Sequence, residues 1–210
     1  MKVLLINGSP HEKGCTYTAL KEVADTLNKE GIDSEIVHLG TKPISGCIAC
    51  RSCMKNKKCI FDDMVNKLLN SAAEYYGFIF GTPVHYAAAS GAITSFMDRL
   101  FFADMLSGKK SFYLKPAAAV ISARRAGTTA AFDQINKYFT ISEMPVISSQ
   151  YWNMVHGFSP EDVQKDLEGM QIMRALGRNM AFFLKCKEAG EKAGIKYPEK
   201  EERIFTNFIR

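Results

Sequence analysis

Four of the chain's six cysteines fall within GCIACRSCMKNKKC at residues 46–59, as Cys47, Cys50, Cys53 and Cys59. Thiols spaced C-x2-C-x2-C-x5-C serve one of three chemistries: metal or cluster ligation, a thiol redox device, or a pair of disulfides. Successive x2 steps let one tight loop aim several thiolates, and its own backbone N–H groups, at a compact cluster, which suits a cubane. Tetrahedral zinc is usually held by two C-x2-C pairs across a longer spacer. The last spacing departs from the bacterial ferredoxin run, because five residues precede Cys59 and Ile60 rather than proline follows it. Arg51, Lys55, Lys57 and Lys58 stand among the thiols. Positive charge there would stabilise an anionic cluster, raise its potential and attract an acidic partner; the plainer alternative is a solvated basic loop.

A second set of residues suits binding rather than bond-making. NGSPHEKGCTYT (7–18) places Gly8, Ser9, Pro10, Gly14, Thr16 and Thr18 just before a helical pattern. Backbone N–H groups, hydroxyls and a helix dipole together make an anion cradle. The loop lacks the Gly-Lys-Ser/Thr of a P-loop and the glycine spacing of GxGxxG. Its alternative is a strand–helix turn whose Ser and Thr cap the helix. GTPVHYAAASG (81–91) keeps side chains small and main chain accessible, as a flat ligand requires, and SARRAGTT (122–129) repeats the theme with Arg124, Arg125 and Gly127. Three such loops suit one ligand with a phosphate end and a planar polar ring. His85 would lie beside that ring or else pack or hydrogen-bond to backbone. Tyr151, Trp152 and Asn153 could edge it, the aromatic pair suiting core or a subunit interface equally. Asp62 and Asp63 read as helix-capping carboxylates, and Cys186 as a buried small hydrophobe in a long helix. No Ser–His–Asp order or HExxH motif supports hydrolysis.

The elements that must position these residues alternate along the chain. Apolar runs at 2–8, 33–39, 76–83, 116–123 and 145–150 are nearly continuous in apolar character, as in strands buried on both faces. Between them lie amphipathic patterns: Leu20, Val23, Ala24 and Leu27 share a face, and Ser159, Pro160 and Asp162 open the last helix with a capping box. Five strand–helix repeats predict an open parallel sheet with helices on both faces. Ligands bind such sheets beyond the carboxyl ends of the strands, where all three loops fall. The 47% hydrophobic and 23% charged composition is that of a globular domain, and a net charge of +5 is too small to argue for nucleic acid. No apolar stretch approaches the ~20 residues of a membrane span, and the N-terminus lacks a signal-peptide pattern. A cytoplasmic setting is expected, where clustered cysteines favour metal or catalysis over disulfides.

Taken together, NGSPHEKGCTYT, GCIACRSC…KCIFDDM, GTPVHYAAASGAITSFMDRL and ARRAGTTAAFDQI resemble the flavodoxin-like NADPH-dependent FMN reductases, and within them the iron–sulfur flavoproteins. The resemblance covers nearly the whole chain. It implies one flavodoxin-like α/β domain over 1–210, a five-stranded parallel sheet of order 2-1-3-4-5, a cysteine-rich loop at 46–60 and a C-terminal extension from about 195. It implies FMN, with Ser9, His11, Cys15, Thr16, Tyr17 and Thr18 around the phosphate. Cys15 stands where the family commonly has Asn, so a backbone contact would survive there and a side-chain one would not. Thr82, Pro83, Val84, His85 and Tyr86 would line the isoalloxazine, and Arg124, Arg125 and Gly127 would close over its other side. A [4Fe–4S] cluster on Cys47, Cys50, Cys53 and Cys59 would link the flavin to a ferredoxin-like donor, in a homodimer or homotetramer. The expected activity is FMN-dependent oxidoreduction between NAD(P)H or ferredoxin and a small-molecule acceptor. The alternatives are a cluster-free NAD(P)H:FMN, quinone or nitro reductase and a non-enzymatic electron carrier.

Overall fold

In the computed structural model, which describes residues 1–202, 204, 206 and 208, the chain alternates as predicted. Residues 203, 205, 207, 209 and 210 of the expected extension lie outside the described residues. In chain order the elements are β1 (Lys2–Asn7), α1 (Cys15–Lys29), β2 (Asp33–His38), α2 (Ser52–Asn56), α3 (Met64–Ser71), β3 (Gly77–His85), β4 (Ala88–Ala89), α4 (Gly91–Ser107), β5 (Ala117–Ala123), α5 (Thr128–Ile141), β6 (Met154–His156), α6 (Pro160–Lys165) and α7 (Leu167–Lys192). The sheet order is β2-β1-β3-β5-β6, with the short β4 antiparallel to β3. The five parallel strands taken alone therefore run 2-1-3-4-5.

Strand alternation divides the core in two. Leu4, Ile6, Phe78 and Phe80 face a largely aromatic layer with Phe96, Phe101, Phe112 and Phe139. Val3, Leu5, Ile79 and Val120 face Leu20, Val23 and Leu27 of α1 and Met173, Leu176 and Met180 of α7. Apolar side chains on both faces explain why the central strands read as unbroken runs.

Three details differ from the sequence reading. The run at 145–150 pairs with the sheet at a single bridge, Val146 to Ala117, through the Pro145 carbonyl and the Ile147 N–H; the chain then leaves it and regular pairing resumes at β6. Ser149 is the local cause, since its hydroxyl donates to the Tyr151 carbonyl at 2.6 Å and accepts from the Tyr151 N–H, competing with the ladder. His156 is consequently a strand residue. The long final helix is two helices: the Asp166 carboxylate accepts from the N–H of His156 and of Gly169, turning the chain and capping α7. Cys186 is exposed, beyond Leu184, the last buried residue of α7.

Candidate functional site

The carboxyl ends of β1, β3, β5 and β6 form one rim, and the loops leaving them are tied together. Register sets Asn7 between His38 and Gly81. The Gly8 N–H donates to the Gly81 carbonyl at 2.9 Å, and the Ser90 hydroxyl donates to the Gly8 carbonyl at 2.8 Å. A Cβ on Gly8 would lie 2.7 Å from Ile93 Cβ, so only glycine lets these backbones approach. Gly127, at φ +92°, would put a Cβ 2.9 Å from Val84 Cγ1, which seats the β5 loop against the β3 loop. Burial pushes the Cys15 thiol pKa up, and the thiol lies 3.7 Å from the Gly157 carbonyl as donor to it.

Within the first loop, the wholly buried Asn7 accepts from the Ser9 N–H and donates to the Glu12 carbonyl. Ser9 Oγ accepts from the His11 N–H at 3.1 Å. His38 Nε2 lies 2.8 Å from the Ser9 carbonyl, an acceptor only, so that nitrogen carries the proton. Asn7 and His38 therefore brace the loop from its two strands. Neither residue carries a local sequence signal for this role; parallel register is what brings both to Ser9.

Side chains cap α3, α4, α6 and α7, through Asp63, Ser90, Ser159 and Asp166. Neither α1 nor α5 has a side-chain cap or an acidic residue in its first turn, and both open on the rim after glycine. Orphan N–H groups and the positive end of the helix dipole are thus left facing the loops. The capping alternative for Ser and Thr of the first loop does not hold. Thr16 is buried with its hydroxyl 2.8 Å from Ser122 Oγ, and Thr18 donates to the Gly14 carbonyl. Thr82 donates to the Pro83 carbonyl and accepts from the Ser90 N–H. What the rim presents is main chain, with Ser9 buried, Cys15, Tyr17, Pro83 and Val84 half-buried, and His11, His85, Tyr86, Arg124 and Arg125 exposed. Tyr86 sits at φ +63°, and among the described residues neither arginine has an ion pair. Tyr151 and Trp152 pack on each other at 4.9 Å, half exposed before β6. Asn153 is buried with neither amide atom partnered among the described residues.

The cysteine segment follows β2 and rests on α4. All four cysteines are among the residues lining one cleft, with Arg99, Phe102 and Ala103. Ala49, Arg51 and Lys57 take left-handed backbone, at φ 53°, 55° and 58°, a strain of about 1–2 kcal/mol each that turns backbone amides through the loop. Two cysteines are fixed and two are not. Cys53 is buried in α2, and Cys59 is held on both backbone groups by Asn66, which also donates to the Phe61 carbonyl. Cys47 and Cys50 are exposed on irregular chain. Of the two carboxylates expected to cap α3, Asp63 is the cap and Asp62 precedes it; the Asp63 carboxylate also pairs with Arg99 at 2.6 and 2.9 Å. Asn66 and Arg99 were not singled out in the sequence. Arg99 could have been: it shares a helical face with Phe96, Leu100 and Ala103, an odd place for a charge. Asn66→Ala strips partners from one N–H and two carbonyls, and a loss of about 3 kcal/mol in urea unfolding is expected.

The donor set fits an iron–sulfur cluster in chemistry, being four cysteines on one cleft. Among the described residues, however, no group of three or more His, Cys, Asp or Glu side chains is arranged to hold a metal ion. Nor, among them, is any helix long and apolar enough to cross a membrane. The rim fits FMN on independent grounds: two uncapped helix starts and close-packed glycine backbone.

Comparison with known proteins agrees. The family model for NADPH-dependent FMN reductase matches residues 1–159. An iron–sulfur flavoprotein of Methanocaldococcus jannaschii is 31% identical over 193 residues, covering 88% of this chain and 98% of that one. One from Methanosarcina thermophila is 21% identical, covering 86% and 93%. Among solved structures, RosB with a bound 8-demethyl-8-formylriboflavin-5′-phosphate intermediate superposes with a TM-score of 0.69 at 15% identity, covering 100% of this chain and 92% of that one. An archaeal flavodoxin gives 0.56 at 16% identity, covering 88% and 99%. At such identities these two establish the fold alone. The chain belongs to the NADPH-dependent FMN reductase family, with the proteins named iron–sulfur flavoproteins, and is an FMN-dependent oxidoreductase.

Proposed function

We propose that FMN lies on the carboxyl rim, its phosphate taken by the loop of Ser9, His11, Cys15, Thr16, Tyr17 and Thr18. Its ring would lie against Thr82–Tyr86 and the Arg124, Arg125 and Gly127 turn. The observation that carries this reading is the pairing of two uncapped helix starts, at α1 and α5, on one rim. Because the Thr16 and Thr18 hydroxyls already have partners inside the fold, their share is backbone N–H donation, which also makes Cys15 an acceptable residue there. Bound FMN supplies the hydride and single-electron chemistry; the chain supplies grip, orientation and electrostatics.

Cys47, Cys50, Cys53 and Cys59 are proposed to hold one [4Fe–4S] cluster. In support stand the shared cleft and the strained amides of the loop; Cys53 and Cys59 are the preset ligands to which Cys47 and Cys50 must close. The chain is read as one domain over 1–210, cytoplasmic and working as a homodimer or homotetramer, with NAD(P)H or a ferredoxin-like protein as donor and a small-molecule acceptor. The open arrangement of the thiols favours a second reading, a cluster-free NAD(P)H-dependent reductase.

Anaerobic purification with iron, acid-labile sulfide and flavin analysis separates the two. About four iron and four sulfide per FMN are expected for the cluster. Flavin without iron selects the second reading. A chain that stays colourless after reconstitution with FMN would overturn both.

A further inference from the structure

We propose that Arg99 positions Cys59 and compensates the charge of its sulfur, an inference that rests on the cluster reading above. Arg99 lies in α4 with no side-chain exposure. Its guanidinium carries five N–H donors in a rigid fork, and every one has a partner. Nε donates to Cys59 Sγ at 3.3 Å. Nη1 donates to the Ser45 carbonyl at 3.4 Å and to Asp63 Oδ2 at 2.6 Å. Nη2 donates to the Phe61 carbonyl at 3.3 Å and to Asp63 Oδ1 at 2.9 Å. The Phe61 ring packs over it with 4.9 Å from the guanidinium carbon to the centroid.

The partners are not scattered. Ser45 precedes the first cysteine by two residues, Cys59 is the last, and Phe61 and Asp63 follow it. One planar group thus gathers both ends of the cysteine loop onto α4, with the donor nearest the helix aimed at sulfur. Stability alone is a poor account, because a buried ion pair is often replaceable by apolar side chains without loss. Asp63 orients the fork through two parallel bonds, leaving Nε free for the thiol. An N–H···S bond and a full positive charge beside a ligand sulfur oppose the extra negative charge of a reduced cluster, and so raise its potential. Lysine could keep the charge but not the fork.

The experiment uses full-length wild type, Arg99→Lys and Arg99→Gln, each accepted only if it holds one FMN per chain and unfolds cooperatively. With cluster in place, Arg99→Gln is expected to shift the midpoint potential to more negative values, and Arg99→Lys to shift it less. In cluster-free protein, both variants should raise the rate of Cys59 alkylation about tenfold, read by peptide mass spectrometry at alkaline pH where thiolate formation is complete in all three proteins. At lower pH, losing the guanidinium also lowers the thiolate fraction. The rate at Cys186, exposed on α7 and outside the cleft, should stay unchanged. An unmoved potential in Arg99→Gln with full iron content overturns charge compensation, and an unmoved Cys59 rate in both variants overturns positioning. If wild type takes up no iron, the cluster reading fails and the charge-compensation half of the inference with it, while the alkylation comparison still decides positioning.

Discussion

Ser9→Asp is expected to weaken FMN binding more than about a hundredfold while leaving riboflavin affinity nearly unchanged. Ser9 is buried in the first loop, its Oγ accepting from the His11 N–H and its carbonyl from His38. An aspartate oxygen can accept the same N–H, so the turn keeps its local bond. What changes is charge: a carboxylate beside a phosphate carrying about −1.5 to −2. At about 4 Å and an effective dielectric near 20, each pair of unit charges repels by roughly 4 kcal/mol, more than the ~2.7 kcal/mol of a hundredfold loss. Riboflavin has no phosphate and serves as the internal control. Flavin fluorescence titration of both ligands reads the ratio. Equal losses would mean a damaged loop, and equal retention would mean that the phosphate sits elsewhere.

The loops of that rim were legible because their chemistry is compositional. Glycine and small residues before amphipathic helices are visible in NGSPHEKGCTYT and SARRAGTT, and the unbroken runs at 2–8, 76–83 and 116–123 announce strands buried on two faces. The supports were not legible, because they are register effects. Asn7 meets His38 across β1 and β2, and Thr16 meets Ser122 across 106 residues; neither pairing leaves a local pattern. The edge strand failed for a related reason. Its apolar run satisfies the rule for a strand, but Ser149 offers the backbone a competing turn, and an edge has only one neighbour to hold it. Cys186 was misplaced by extending a helical stripe past the end of the core it packs on. In the cysteine segment, spacing named the donors, whereas their support comes from α3 and α4, up to 54 residues further on.

Cys59→Ser is expected to abolish cluster incorporation, taking iron and sulfide from about four per chain to near zero, with one FMN still bound. The size of the effect follows from the ligand's chemistry: a serine hydroxyl does not ionise near neutral pH and is a hard donor where the cluster requires soft thiolate. The variant is also clean. Asn66 holds residue 59 through its backbone N–H and carbonyl, which the substitution leaves alone, and Arg99 Nε can donate to a hydroxyl oxygen as to sulfur. The loop should therefore keep its course, and lost iron would report lost ligation rather than lost fold. Cys186→Ser supplies the counterpart: an exposed thiol on α7, outside the cleft that the other four share, should cost no iron at all. Iron and sulfide assays on the two variants, beside wild type prepared anaerobically, set the cleft against the rest of the chain. Full iron in Cys59→Ser would remove this residue from the ligand set and return the segment to the free-thiol chemistry that its spacing also allows.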